Sequence, residues 1–156
     1  MITKTQKLLL SLIQHNNGIE DKTKLAKLQY FADFIHYAFH SIPISEPEII
    51  YTKQKQGPLS RTLTDDLENL KQMGLITEKP KYHYNLAKSI DVNFSPEEKK
   101  TINYVVSKYG KLSYNELIDI CHSQAPYLSA GKDDIVEFFT SYNLVDEYPD
   151  YVSSSI

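Results

Sequence analysis

At 156 residues the chain is long enough for one domain that buries its own core, and with Cys121 as its only cysteine it can close no internal disulfide, which excludes a disulfide-stapled scaffold. The formal charge of -3 is unevenly spread: residues 1–90 carry 12 Lys or Arg against 9 Asp or Glu (+3), and residues 91–156 carry 5 against 11 (-6). The acidic second half would repel a phosphate backbone and attract a basic partner. In chain order, residues 3–15 carry a helical stripe of Leu8, Leu9, Leu12 and Ile13, ending at the turn signal Asn16, Asn17, Gly18. This apolar run is too short and too interrupted for a signal core or a membrane span, so the expected setting is a reducing cytoplasm.

The stretch of residues 22–41 organises the rest. Leu25, Leu28, Ala32, Ile35 and Phe39 recur at helical spacing, and so do Tyr30, Phe34, Tyr37 and Ala38. A helix apolar on nearly every side belongs in the middle of a domain, and about 20 residues at roughly 1.5 Å each span a small domain. Asp21 or Thr23 is expected to cap it, and the prolines at 43 and 47 to stop it. Ile49, Ile50, Tyr51 and Thr52 predict a short strand. Gly57 then turns the chain and Pro58 is expected to open a helix over residues 60–73, in which Leu63, Leu67 and Leu70 face inward and which Gly74 closes.

A β-hairpin follows, with Leu75, Ile76 and Thr77 on one strand and Tyr82, Tyr84 and Leu86 on the other. Helix, strand, turn, strand is the layout of a winged-helix unit, with residues 60–73 where a recognition helix would lie. Arg61, Thr62, Thr64, Lys71 and Gln72 could reach a groove, but Asp65, Asp66 and Glu68, expected on the same exposed side, oppose it. Ser95, Pro96, Glu97 and Glu98 start a fourth helix, and Ser113 with Glu116 forms a capping box for a fifth that reaches His122 and breaks before Pro126. A last, acidic helix over residues 133–142 is expected to bury Ile135, Val136, Phe138 and Phe139, leaving residues 146–156 as a flexible tail. The fold class is therefore mainly α: one helical domain over residues 1–145, built around a central buried helix, with a small winged-helix-like hairpin.

Three stretches taken together resemble the Panacea, or SocA-like, antitoxin domain: Lys24, Leu25, Lys27, Leu28, Tyr30, Phe31 and Ala32; Gln56, Gly57, Pro58 and Leu59; and Leu112, Ser113, Glu116, Leu117, His122, Pro126 and Tyr127. The resemblance spans about residues 20–130, and Ala26 and Gln29 depart from the residues the family often has there. It implies a helical domain from a bacterium, archaeon or phage that neutralises a partner toxin by direct binding or by delivering it to a protease. The partner-binding residues expected are Tyr51, Gln56, Gly57, Pro58, His122, Pro126 and Tyr127, with Tyr51 and Tyr127 as exposed aromatics beside the acidic last helix.

Chemistry has weaker support. His36 and His40 lie one turn apart with Asp33 one turn earlier, a spacing that can hold a metal, yet no HExxH pattern or third ligand accompanies them, and surface or capping histidines are the preferred reading. Cys121 and His122 are neighbours on a helix and so point in different directions; His122 is expected to fix the end of its helix. No phosphate-binding glycine motif occurs. Neither an enzyme nor a cofactor is expected, nor a membrane or nucleic-acid partner; the alternative to an antitoxin is a winged-helix DNA-binding regulator.

Overall fold

The computed structural model describes residues 2–80 and 83–153. Lys81 and Tyr82 of the expected hairpin, and Ser154, Ser155 and Ile156 of the expected tail, lie outside the described residues. Helix α1 (Lys4–His15) begins at a capping box in which the Thr3 hydroxyl and the Gln6 side chain each accept the other's backbone N–H. Glu46 accepts from the Thr5 hydroxyl at 2.6 Å, tying the loop after the next helix to the start of α1.

Helix α2 (Lys22–His40) is capped by Asp21, whose Oδ1 accepts from Thr23 N at 2.7 Å and Lys24 N at 3.2 Å. It stops at Ser41, whose φ of 62° leaves the helical region, so the prolines lie beyond its end rather than causing it. Leu25, Leu28, Tyr30, Phe34 and Ile35 are fully buried, as the double apolar spacing predicts, and so is Phe31, which belongs to neither spacing. Five polar side chains of the same helix are buried with them: Lys24, Lys27, Gln29, Asp33 and His36. Asp33 accepts from Ile44 N (2.9 Å), Ser45 N (2.8 Å), the Ser45 hydroxyl (2.8 Å) and Tyr51 Oη (2.6 Å). Burial pushes the Asp33 carboxyl up, and the donors from Tyr51 and Ser45 pull it back. All four partners donate, which is the set an ionised carboxylate requires.

Strands β1 (Tyr51–Gln54) and β2 (Gly57–Ser60) form an antiparallel hairpin closed by Lys55 and Gln56. This corrects two expectations: Gly57 and Pro58 lie in a strand instead of opening a helix, and α3 (Leu63–Gln72) starts later. Lys53 turns its backbone N–H to Asp134 O (2.9 Å) and its carbonyl to Asp133 N (3.1 Å), away from β2. Pro58, its register partner, therefore sits at a non-hydrogen-bonded position where a missing N–H breaks no ladder bond. Tyr51 is fully buried, not an exposed aromatic. Asp66 also turns inward, accepting from Gln6 Nε2 (3.2 Å) and Thr62 Oγ1 (2.8 Å), so only Asp65 and Glu68 of the three α3 carboxylates are exposed. Strands β3 (Ile76–Glu78) and β4 (Tyr84–Leu86) pair as expected, and Ile19 bridges to Tyr84.

Both later capping boxes are present, at Ser95 with Glu98 before α4 (Pro96–Tyr109) and at Ser113 with Glu116 before α5 (Tyr114–His122). Pro126 opens a further short helix, α6 (Ala125–Ser129), that the sequence reading places in a break. The expected last helix over residues 133–142 forms only in its second half, and there as a 3₁₀ helix. Residues 133–136 are extended along β1, with Val136 N donating to Tyr51 O at 2.8 Å, because the outer edge of β1 needs hydrogen-bond partners. A 3₁₀ stretch, Phe138–Glu147, follows. With three residues per turn, Ser141 and Leu144 face in with Phe138 half-buried above them, while Phe139 (64 % exposed), Tyr142 (47 %) and Val145 (38 %) align on the outside. Phe139 and Ile135 are thus exposed, contrary to expectation.

Of the expected tail, residues 148 and 151 are packed against the domain. Tyr148 is buried and accepts from Tyr109 Oη (2.8 Å) and Gln124 Nε2 (2.6 Å), while buried Tyr151 bonds Thr101 Oγ1 (2.8 Å) and His40 Nε2 (3.0 Å). Among the described residues no helix is long and apolar enough to cross a membrane.

Two substitutions under the β1–β2 hairpin should move stability in opposite directions in urea titrations. Tyr51→Phe removes the donor to buried Asp33 and should cost about 1.5–3 kcal/mol. The Gln29 amide is buried with neither its oxygen nor its nitrogen partnered among the described residues. Gln29→Met, similar in volume, should therefore raise stability by about 1 kcal/mol.

Candidate functional site

The residues singled out in the sequence come from two distant stretches, and the structure brings most of them to the turn of the β1–β2 hairpin. Gly57 follows the turn at φ 110°, where a side chain is strained, and a Cβ there would lie 3.1 Å from Lys27 Nζ. The Lys27 ammonium donates to the Pro58 carbonyl at 2.6 Å, holding β2 against α2 from beneath. From the side, His122 at the end of α5 bonds the Lys55 carbonyl through Nε2 at 3.0 Å. A carbonyl only accepts, so that nitrogen carries the proton. His122 thus fixes the hairpin instead of its own helix end, where the Ser123 hydroxyl donates to Ile120 O.

Tyr127 stacks on His122 with ring centres 4.4 Å apart, and Lys53 Nζ lies 4.3 Å from the centre of the Tyr127 ring while donating to Ala130 O at 2.9 Å. Gln56 is exposed, His122 and Tyr127 are half-buried, and Gly57, Pro58 and Pro126 are buried. A partner could therefore touch the turn at Lys55 and Gln56 and the edges of His122 and Tyr127. Gly57, Pro58 and Pro126 only shape that surface. Tyr51 lies in the core beneath and forms no part of it.

Two buried groups sit under the turn. Burial pushes the Lys27 ammonium down to about 8 and the Cys121 thiol up to about 12. Cys121 faces the core while His122 faces the hairpin, so the two do not form a thiolate pair. His36 is buried, not on the surface: its Nδ1 bonds Thr101 Oγ1 at 2.7 Å, and burial, then the nearby His40, holds it down to about 4. His36 and His40 lie side by side, ring centres 4.4 Å apart and linked through Thr101 and Tyr151, but Asp33 turns to Ser45 and Tyr51, and among the described residues no group of three His, Cys, Asp or Glu side chains could hold a metal.

Sequence reasoning missed Lys27 as an anchor, because it reads as one of several lysines on a helix face, and it missed the exposed ridge of Phe139 and Tyr142. For the ridge a signal was present: the apolar residues of 138–145 repeat every three positions, not at 3.6.

A family model described as antitoxin SocA-like, Panacea domain, matches residues 25–127, a span that runs from the first turn of α2 to Tyr127 and includes Lys27, the hairpin turn, His122 and Tyr127 but not the ridge of Phe139 and Tyr142. No curated protein and no solved structure matches the chain.

The site predicts two measurable stability effects. Gly57→Ala should lower stability by roughly 1–3 kcal/mol, since φ at 57 is unfavourable for any side chain and Lys27 must give way. Lys27 has the opposite sign to a salt-bridged lysine. Its pKa falls from 10.5 to about 8 on folding, so the unfolded chain binds more protons between those values and folding gains as pH rises through them. Compared with Lys27→Met, the wild type should gain up to about 3 kcal/mol between pH 8 and 10.5, read by urea unfolding of both proteins at each pH.

Proposed function

The chain belongs to the antitoxin SocA-like, Panacea domain family, and on that footing we propose that it acts as an antitoxin, holding a toxin protein directly against the β1–β2 hairpin turn. The observation that carries this reading is the meeting of residues 54–58 with His122 and Tyr127 at one turn, pinned from below by Lys27 and from the side by His122. A turn held at fixed points loses little conformational entropy when a partner docks. Tyrosine and histidine edges offer apolar area with a polar tip. The ridge of Phe139 and Tyr142, which continues the chain from the edge strand beside β1, extends the contact surface, and Asp133, Asp134 and Glu137 before it favour a basic partner.

A second reading has one observation in its favour: α3 followed by β3 and β4 has the winged-helix order. The charges around α3 cancel, with exposed Arg61 and half-buried Lys71 against exposed Asp65 and Glu68, and Glu68 is paired with Lys71 at 3.2 Å. That is a poor surface for a phosphate backbone.

Capture of the tagged chain from the cells that make it should recover a protein in stoichiometric amount that is toxic when expressed alone and harmless when co-expressed. The double variant Gln56→Ala/Tyr127→Ala should keep its far-UV spectrum and melting temperature within a few degrees, yet hold that protein roughly tenfold or more weaker, the loss expected for an interface anchor. Toxin loss that depends on a cellular protease would replace direct holding with delivery. Recovery of nucleic acid alone, lost as salt is raised, would move the function to the winged-helix reading.

A further inference from the structure

A cleft of about 470 Å³ opens between the first turns of α2 and the β1–β2 hairpin. Its charged lining is Lys22, Lys27 and Lys55, with no aspartate or glutamate; Gln54, Gln56 and Leu59 are among the remaining walls. In a chain with net charge -3 this is a local concentration of positive charge.

Lys27 is the unusual member. Its side chain is buried, and among the described residues the one hydrogen bond of its ammonium goes to a neutral carbonyl, that of Pro58, with no ion pair. Lys24, one turn earlier on average and also buried, shows the ordinary solution, reaching Glu20 at 2.9 Å. A buried ammonium carries three donors and a full charge, and a single carbonyl answers only part of that. Gly57 leaves the space in which Lys27 lies, and any larger residue there would crowd its Nζ.

We propose that this cleft receives a carboxylate-bearing peptide segment of the protein partner, with Lys27 at its floor and Lys22 and Lys55 at its walls. The proposal rests on the protein-binding reading above and names the chemistry of one contact within it. The cleft has the volume of a site for a ligand of drug size, far more than one inorganic oxyanion fills. The glutamine side chains and Leu59 along its wall suit a peptide backbone and an aliphatic stem beside the acid. The site also lies against the exposed turn at Lys55 and Gln56, so a segment seated in it would touch the surface already described.

The test needs no toxin. A short acetylated peptide of alternating Glu and Ala, and the same peptide with Gln in place of Glu, are titrated into the isotope-labelled full chain and followed by amide NMR. The Glu peptide should perturb the amides of Ala26, Lys27, Gln56 and Gly57 saturably, and the Gln peptide should bind roughly tenfold or more weakly. Lys22→Gln/Lys55→Gln, which changes only residues at the cleft's walls, should weaken the Glu peptide by a similar factor, and Lys99→Gln/Lys111→Gln, elsewhere on the molecule, should leave it unchanged. Equal binding of the two peptides, equal loss in both double variants, no saturable binding, or displacement by excess inorganic phosphate would each overturn the proposal, the last by making the cleft a small-anion site. A failed peptide titration leaves capture of a toxin untouched. Failure to capture a toxin leaves a positive titration standing, so the two readings fall separately.

Discussion

The fold depends on four polar side chains buried along α2, Lys27, Tyr30, Asp33 and His36, each of which finds its partner on a different neighbouring element. Lys27 reaches the Pro58 carbonyl on β2. Tyr30 donates to Gln124 Oε1 at 2.7 Å, just before α6. Asp33 gathers the loop at Ile44 and Ser45 and the hydroxyl of Tyr51 on β1. His36 bonds Thr101 on α4. Apolar burial would hold these elements near the helix in many arrangements, because it is not directional. A buried polar group left unpaired costs about 1–3 kcal/mol, so each of these bonds selects one placement of the element it meets. The tyrosines extend the same device outward: Tyr109 and Tyr148 link α4 to the end of the chain, and Tyr151 meets the α4 side of α2 through Thr101 and His40.

The β1–β2 hairpin is held at four points. Tyr51 fixes its start to Asp33, Lys27 fixes β2, His122 fixes the turn, and residues 133–136 close the outer edge of β1. An isolated two-stranded hairpin is marginal in water. Here the two strands are pinned by side chains from α2 and α5 and by a third backbone segment, which leaves the turn itself at the surface with little freedom. The positive side of the hairpin and the acidic residues 133–137 lie on opposite edges of β1, so the surface offers both signs of charge a short distance apart, a pattern that sets the orientation of a docked protein more than its affinity.

The elements the sequence revealed were those whose signals are local. Helical spacing gave α1 and α2, the Ser-x-x-Glu boxes gave the starts of α4 and α5, and Gly74 marked the end of α3. The family resemblance picked out the stretches that meet at the hairpin, without saying how they meet. What stayed hidden depends on contacts between distant residues. Tyr51 reads equally well as a surface aromatic or a core one until Asp33 is seen beneath it. Pro58 looks like a helix opener until Asp133 and Asp134 turn out to take the outward backbone groups of Lys53. Ile135 and Val136 read as helix, yet an unpaired strand edge claims them, and tertiary context overrides a weak propensity.

The departures from local sequence rules are not scattered over the molecule. Among the described residues, a lysine buried without a carboxylate, a glycine at φ 110° against it, and a glutamine with both amide atoms unpartnered, whose backbone carbonyl accepts from Tyr51, all lie on α2 or the hairpin packed against it. Each could be relieved by a common substitution, methionine for Lys27 or Gln29 and a tighter turn for Gly57, at no visible loss to the core. Natural sequences are consistent across levels except where function demands otherwise, and strain of this kind is stored where a site is preorganised. The same hairpin carries the exposed turn and the lysine-lined cleft, so the place where the chain departs most from local rules coincides with the surface we propose for a protein partner.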